Sequence, residues 1–85
     1  MADLPAREHL AETLTAASAA HDEYERVILK GVVDVRWSGF YAAYVLGAVG
    51  EFTEPSRLAA LLEEVDTGDD WAAIAAEHVL TKLRS

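Results

Sequence analysis

Three histidines, fifteen carboxylates and seven aromatic rings are the side chains best able to build a site in this 85-residue sequence, which has no cysteine. His21 draws the eye first. It falls on the apolar seam of a helix, between Ala17 and Tyr24, with Glu25 one turn on. An imidazole facing a core needs a hydrogen-bond partner, and its titration responds to burial and to a neighbouring carboxylate. Such a group can act as a ligand, a general base or a pH-sensitive contact. The ordinary alternative is a partly buried histidine satisfied by a tyrosine or a backbone carbonyl. His9 and His78 each follow a glutamate, but neighbours on a helix point about 100° apart, so neither pair forms a shared site.

Metal-ligand spacing is missing. No glutamate begins a Glu-x-x-His pair, and there is no H-E-x-x-H. A set drawn from His21, Glu25 and His78 across helices has no spacing to support it, so no metal and no cofactor are expected. The acidic run Glu63, Glu64, Asp66, Asp69 and Asp70 lacks the spacing and glycine of a calcium loop and reads as a solvated rim. There is no G-x-S-x-G, no phosphate-binding glycine loop and no dinucleotide fingerprint, so no catalytic residue is assigned. Ser38 has no acidic residue before it, unlike the serine of a carrier protein that bears a prosthetic group.

The aromatic residues are concentrated. Trp37, Phe40, Tyr41 and Tyr44 are four of the seven, and they cover most of one helix circumference. They fill a core, meet a partner, or do both. With His21 and Tyr24, the residues Trp37, Tyr41 and Tyr44 are the candidate lining of a ligand pocket. Gly39, Ala43 and Gly47 recur every fourth residue as a smooth ridge on which another helix can pack closely. Together with Phe40 they are the candidate interface.

Four helices must position these groups. The first is expected over residues 5–30, with Pro5 in its first turn, Asp3 as cap and Gly31 as the left-handed stop. Its seam is Leu10, Leu14, Ala17, His21, Tyr24 and Ile28. The second, over 35–49 with Asp34 as cap, is apolar nearly all round, the pattern of a central, buried helix. Thr53 is expected to cap the third, with Pro55 in its first turn and Leu58, Leu61, Leu62 and Val65 as its stripe. A turn at Asp66-Thr67-Gly68 leads to the fourth, with Trp71, Ile74, Ala75, His78, Val79 and Leu83 facing inward. Val32 to Val35 is β-branched but has no partner run, so no strand is expected. The fold expected is all-α: one domain over residues 1–85, a small four-helix bundle of two αα-hairpins with a long first helix.

The two hairpins echo each other at an offset of 34 residues. Residues 37–46 and 71–80 share W-x-x-[FI]-x-A-x-[YH]-V-L, and Tyr24, Val27 and Ile28 fall on Leu58, Leu61 and Leu62. That period is also the tetratricopeptide one, and Trp37, Phe40 and Tyr44 match its first-helix spacing. Thr53, Arg57 and Val65 stand where that motif has small, aromatic and proline positions, so the likeness ends there. The stretch Trp37 to Leu46 also resembles a W-x-x-[WF]-Y-A-x-Y pattern of short bacterial helical proteins, which implies a helix and no chemistry.

Charge narrows the function. Seven basic against fifteen acidic residues give a net charge of −8. A nucleic-acid binder needs a basic face, so that class is disfavoured. The N-terminus lacks the basic and apolar regions of a signal peptide. The longest uncharged run, from Trp37 to Gly50, is shorter than the roughly 20 residues a membrane span requires. A cytoplasmic protein without membrane contact is the expectation. Three functions remain. The first is a non-catalytic interaction module or accessory subunit that forms a homo-oligomer or docks on a larger protein, self-associating through the second helix. The second is a small-ligand protein or small enzyme with an aromatic and histidine pocket around His21. The third is an acidic decoy for a basic surface. The first is preferred, since surplus apolar surface and a glycine ridge suit a symmetric pair and no catalytic constellation is present.

Overall fold

The computed structural model describes residues 3–66 and 68–84; Thr67, in the expected turn, lies outside them. The chain is all-α, with α1 at Arg7–Glu23, α2 at Trp37–Val49, α3 at Pro55–Glu63 and α4 at Trp71–Arg84. No strand occurs among the described residues. α1 packs on α2 and α4, α2 on α3, and α3 on α4, so the four helices close a ring around a shared interior. The hairpins α1–α2 and α3–α4 are the two halves of that ring.

The interior is aliphatic. Leu10, Leu14, Leu58, Leu61, Leu62, Leu80, Val45 and Val79 are the largest fully buried side chains, and alanines 17, 42, 75 and 76 lie between them. Each large side chain withdrawn from water contributes about 1.5–3 kcal/mol, and the alanines let the helices approach. Ser38, at the start of α2, is also buried, and its hydroxyl donates to Glu63 Oε2 at the end of α3 at 2.6 Å.

The offset of 34 survives as a burial pattern. Tyr41, Ala42, Val45 and Leu46 on α2 are buried, and so are their counterparts Ala75, Ala76, Val79 and Leu80 on α4. The echo breaks at the other end. Leu61 and Leu62 are buried, but Val27 is 51% and Ile28 62% exposed. The cause lies in α1, which gives way at Glu23 to a π turn over Tyr24–Ile28. Leu29 N–H donates to Tyr24 O at 3.0 Å, five residues back. A π turn spreads its residues over a wider circle than an α turn, so the 3.6-residue seam carries through His21 and loses Ile28.

Helix ends differ from the sequence expectations in detail. α1 begins at Arg7 after Ala6, with no side-chain cap, so Asp3 and Pro5 precede the helix. Lys30 (φ 54°) takes the left-handed position ahead of Gly31 (φ 89°), and Gly31 N–H reaches back to Glu25 O at 2.8 Å. α2 starts at Trp37 rather than Val35, and Val35 is exposed in the connector. Asp34 still serves the helix entry, because its Oδ1 accepts Arg36 N–H at 2.9 Å. The residue at the cap of α3 is Glu54, and Thr53 makes no capping bond; Pro55 opens the helix as expected. Gly50 (φ 95°) closes α2.

Two burial expectations are corrected. Ile74, expected on the inner face of α4, is 53% exposed, and Ala76 and Leu80 face inward instead. The inner stripe therefore follows Ala75, Ala76, Val79 and Leu80, one step round the helix from the expected one. α2 is buried on one side only. Gly39, Ala43, Tyr44, Gly47 and Ala48 are exposed, because α1 and α3 cover the side that carries Tyr41, Ala42, Val45 and Leu46.

Candidate functional site

The π turn, the connector and the start of α2 converge on His21. The imidazole is 5% exposed, and its Nε2 lies 2.9 Å from Asp34 Oδ2. Asp34 also accepts the Arg36 backbone N–H, and Glu25 Oε2 accepts the Asp34 backbone N–H at 2.6 Å. Glu25, from the π turn, thus holds the connector at the residue that pairs with His21. The hydrogen bond from His21 and the one from Arg36 N–H keep the Asp34 carboxyl below its usual range. A carboxylate can only accept, so the proton of the 2.9 Å contact belongs to Nε2.

Aromatic rings surround this network. The Phe40 and Tyr41 rings stand edge-on to the imidazole, with centroids at 5.0 and 5.3 Å. Tyr24 stacks on the imidazole more distantly, at 6.4 Å, and tilts against Phe40 at 5.3 Å. Beyond Tyr41, Trp37 from α2 and Trp71 from α4 meet at 6.0 Å. Trp71 Nε1 is buried with no hydrogen-bond partner among the described residues.

A cleft of about 330 Å³ opens here, walled by His21, Glu25, Asp34, Trp37, Tyr41 and Trp71, with Ser18, Val33 and Gly68 at its margins. That is within the range of small-molecule sites. Of the five residues expected to line a pocket, the structure brings His21, Trp37 and Tyr41 into the cleft. Tyr24 lies instead in a second groove of about 240 Å³ with Phe40, Val27 and Ile28. Tyr44 is 37% exposed and lines neither. Sequence reasoning missed Trp71 and Asp34 as cleft residues. The repeat of Trp37 at Trp71 was a usable signal, whereas a carboxylate thirteen residues beyond His21 across a connector carries no periodic trace.

His21, Asp22 and Glu25 offer ligand atoms within 4.8 Å of one another. Asp34 orients the imidazole as a carboxylate orients a metal-binding histidine. Asp22 is exposed, and one Glu25 oxygen is already engaged, so the set is open to solvent. His78 lies elsewhere, with Nε2 2.7 Å from Glu64 Oε1, and His9 is exposed.

Three of the four expected interface residues lie on the opposite flank of α2, while Phe40 packs against His21. Gly39, Ala43 and Gly47 face outward, and a Cβ added at either glycine would meet nothing within 4 Å. Among the described residues, no helix packs on the ridge. Phe40 is half-buried between the ridge and the groove beside Val27 and Ile28. Among the described residues, no helix is long and apolar enough to cross a membrane. No family model, curated protein or solved structure matches this chain.

Proposed function

We propose that this protein is a non-catalytic interaction module that pairs with a second copy of itself through the outer face of α2. The observation that supports this reading is an uncovered apolar surface. Val27 and Ile28 are exposed beside Phe40, and Phe40 is followed at helical spacing by Ala43, Tyr44 and Gly47, all exposed. Contiguous apolar surface of this kind marks interaction sites in small proteins.

Charge favours a second copy as the occupant. Two molecules of net charge −8 repel, so they meet at lowest cost where charge is absent, and α2 has no charged residue from Trp37 to Val49. A two-fold axis would lay ridge on ridge, and the glycines would allow close backbone approach. Salt should therefore strengthen the association, because it screens the overall repulsion and breaks no interfacial ion pair. The test is sedimentation of wild type and Gly47→Leu over a concentration series. Loss of the dimer in the variant supports the reading, and an unchanged dimer sinks the ridge as its interface.

A second reading rests on a different observation, the cleft beside His21. A small-ligand site there requires no oligomer, and His21→Ala should remove binding while leaving a helical fold.

A further inference from the structure

We infer that the cleft beside His21 is a site for a small alkylated ammonium ion; this rests on the second reading above and names its ligand class. The argument begins with three rings. Trp37, Tyr41 and Trp71 all line the cleft. Trp37 and Tyr41 are inclined at 84°, Tyr41 and Trp71 at 86°, and Trp37 and Trp71 at 75°. Their centroids lie 5.5, 5.4 and 6.0 Å apart. Each pair meets edge to face, so the cleft is bordered by rings in three orientations. The face of an aromatic ring is its negative region, and a ring face open to a cleft attracts a cation too weakly hydrated to resist leaving water.

Acidic groups line the same cleft. Glu25 and Asp34 contribute carboxylates, and no lysine or arginine lines the cleft. Asp34 is committed to His21 and to Arg36 N–H, while Glu25 spends one oxygen on Asp34 N–H. The second Glu25 oxygen has no hydrogen bond among the described residues. The net charge of −8 adds a long-range field that draws cations and repels anions. An anion would face two carboxylates. A neutral apolar ligand would strip water from them without compensation. A bare ammonium would satisfy the carboxylates but leave the rings unused. An alkylated ammonium uses both.

The test titrates the full chain with choline and, separately, with 3,3-dimethylbutan-1-ol, its neutral isostere. Tryptophan fluorescence and the indole N–H resonances of Trp37 and Trp71 are followed, with sodium chloride matching ionic strength. Choline should bind about ten-fold or more tightly than the alcohol. Glu25→Gln keeps an oxygen to accept Asp34 N–H and removes the charge. It should weaken choline roughly three- to ten-fold and leave the thermal melt nearly unchanged. Trimethyllysine and glycerophosphocholine, run alongside, separate a protein-borne from a lipid-borne ammonium by whichever binds more tightly. Equal binding of choline and alcohol overturns the cation inference and leaves the cleft as a ligand site. If neither moves the indole signals, the inference is overturned too, and a fragment screen on the same resonances decides whether the cleft takes any ligand.

Discussion

Gly47 offers a test in which stability and assembly move in opposite directions. The residue lies inside α2 and faces outward, and a Cβ there would touch nothing within 4 Å. In the isolated monomer, then, Gly47→Ala removes only the conformational freedom that glycine brings to the unfolded chain. The gain is about 0.5–1 kcal/mol, the lower end applying because the position is near the helix terminus. For a domain of this size that raises Tm by roughly 2–8 °C. The assay is thermal circular dichroism at protein concentrations where sedimentation reports a monomer. Gly47→Leu keeps most of this gain but fills the ridge, so at high concentration it should fail to dimerise. A lower Tm for Gly47→Ala in the dilute monomer would refute the reasoning, since the new methyl group would then be meeting part of its own chain.

Other expectations follow from particular contacts. The Asp34 carboxyl titrates lower in the folded protein than its ordinary 3.8, so its stabilisation is complete above that value and is lost as pH falls through the folded one. Urea melts at about pH 5 and about pH 3 should show a smaller acid-induced loss in Asp34→Asn than in wild type. Ser38→Ala breaks the 2.6 Å bond to Glu63, whose exposed carboxylate regains water, so the cost should be about 1 kcal/mol in the same assay. Leu14→Ala empties a fully buried position and should cost about 2–5 kcal/mol, lowering the urea midpoint far more than Ser38→Ala.

Much of the bundle was legible because its helices are amphipathic at the ordinary period. Leu10, Leu14, Ala17 and His21 follow steps of three and four, and all four are buried. Gly50 and Pro55 bound α2 and α3 where backbone chemistry demands. The reading failed where the period itself changed. Nothing in Tyr24-Glu25-Arg26-Val27-Ile28 announces a π turn, and that turn exposes Ile28 and carries Glu25 to the connector. The partner of His21 was equally hidden. A tyrosine or a backbone carbonyl was the expectation, whereas the bond is made by Asp34, brought in by the connector's path and not by any helical spacing. The uniformly apolar α2 suggested a buried helix. In a bundle this small, α1 and α3 cover one side of it and Trp71 of α4 meets only its start, so one flank stays open among the described residues.

The central claim is self-association through that flank, and the most direct measurement is native mass spectrometry of the wild-type chain, backed by sedimentation at low and high salt. The account predicts a species of twice the 9.2 kDa chain mass that grows with protein concentration and with salt, and that Gly47→Leu abolishes. A chain that stays monomeric at the highest concentration and salt would contradict it.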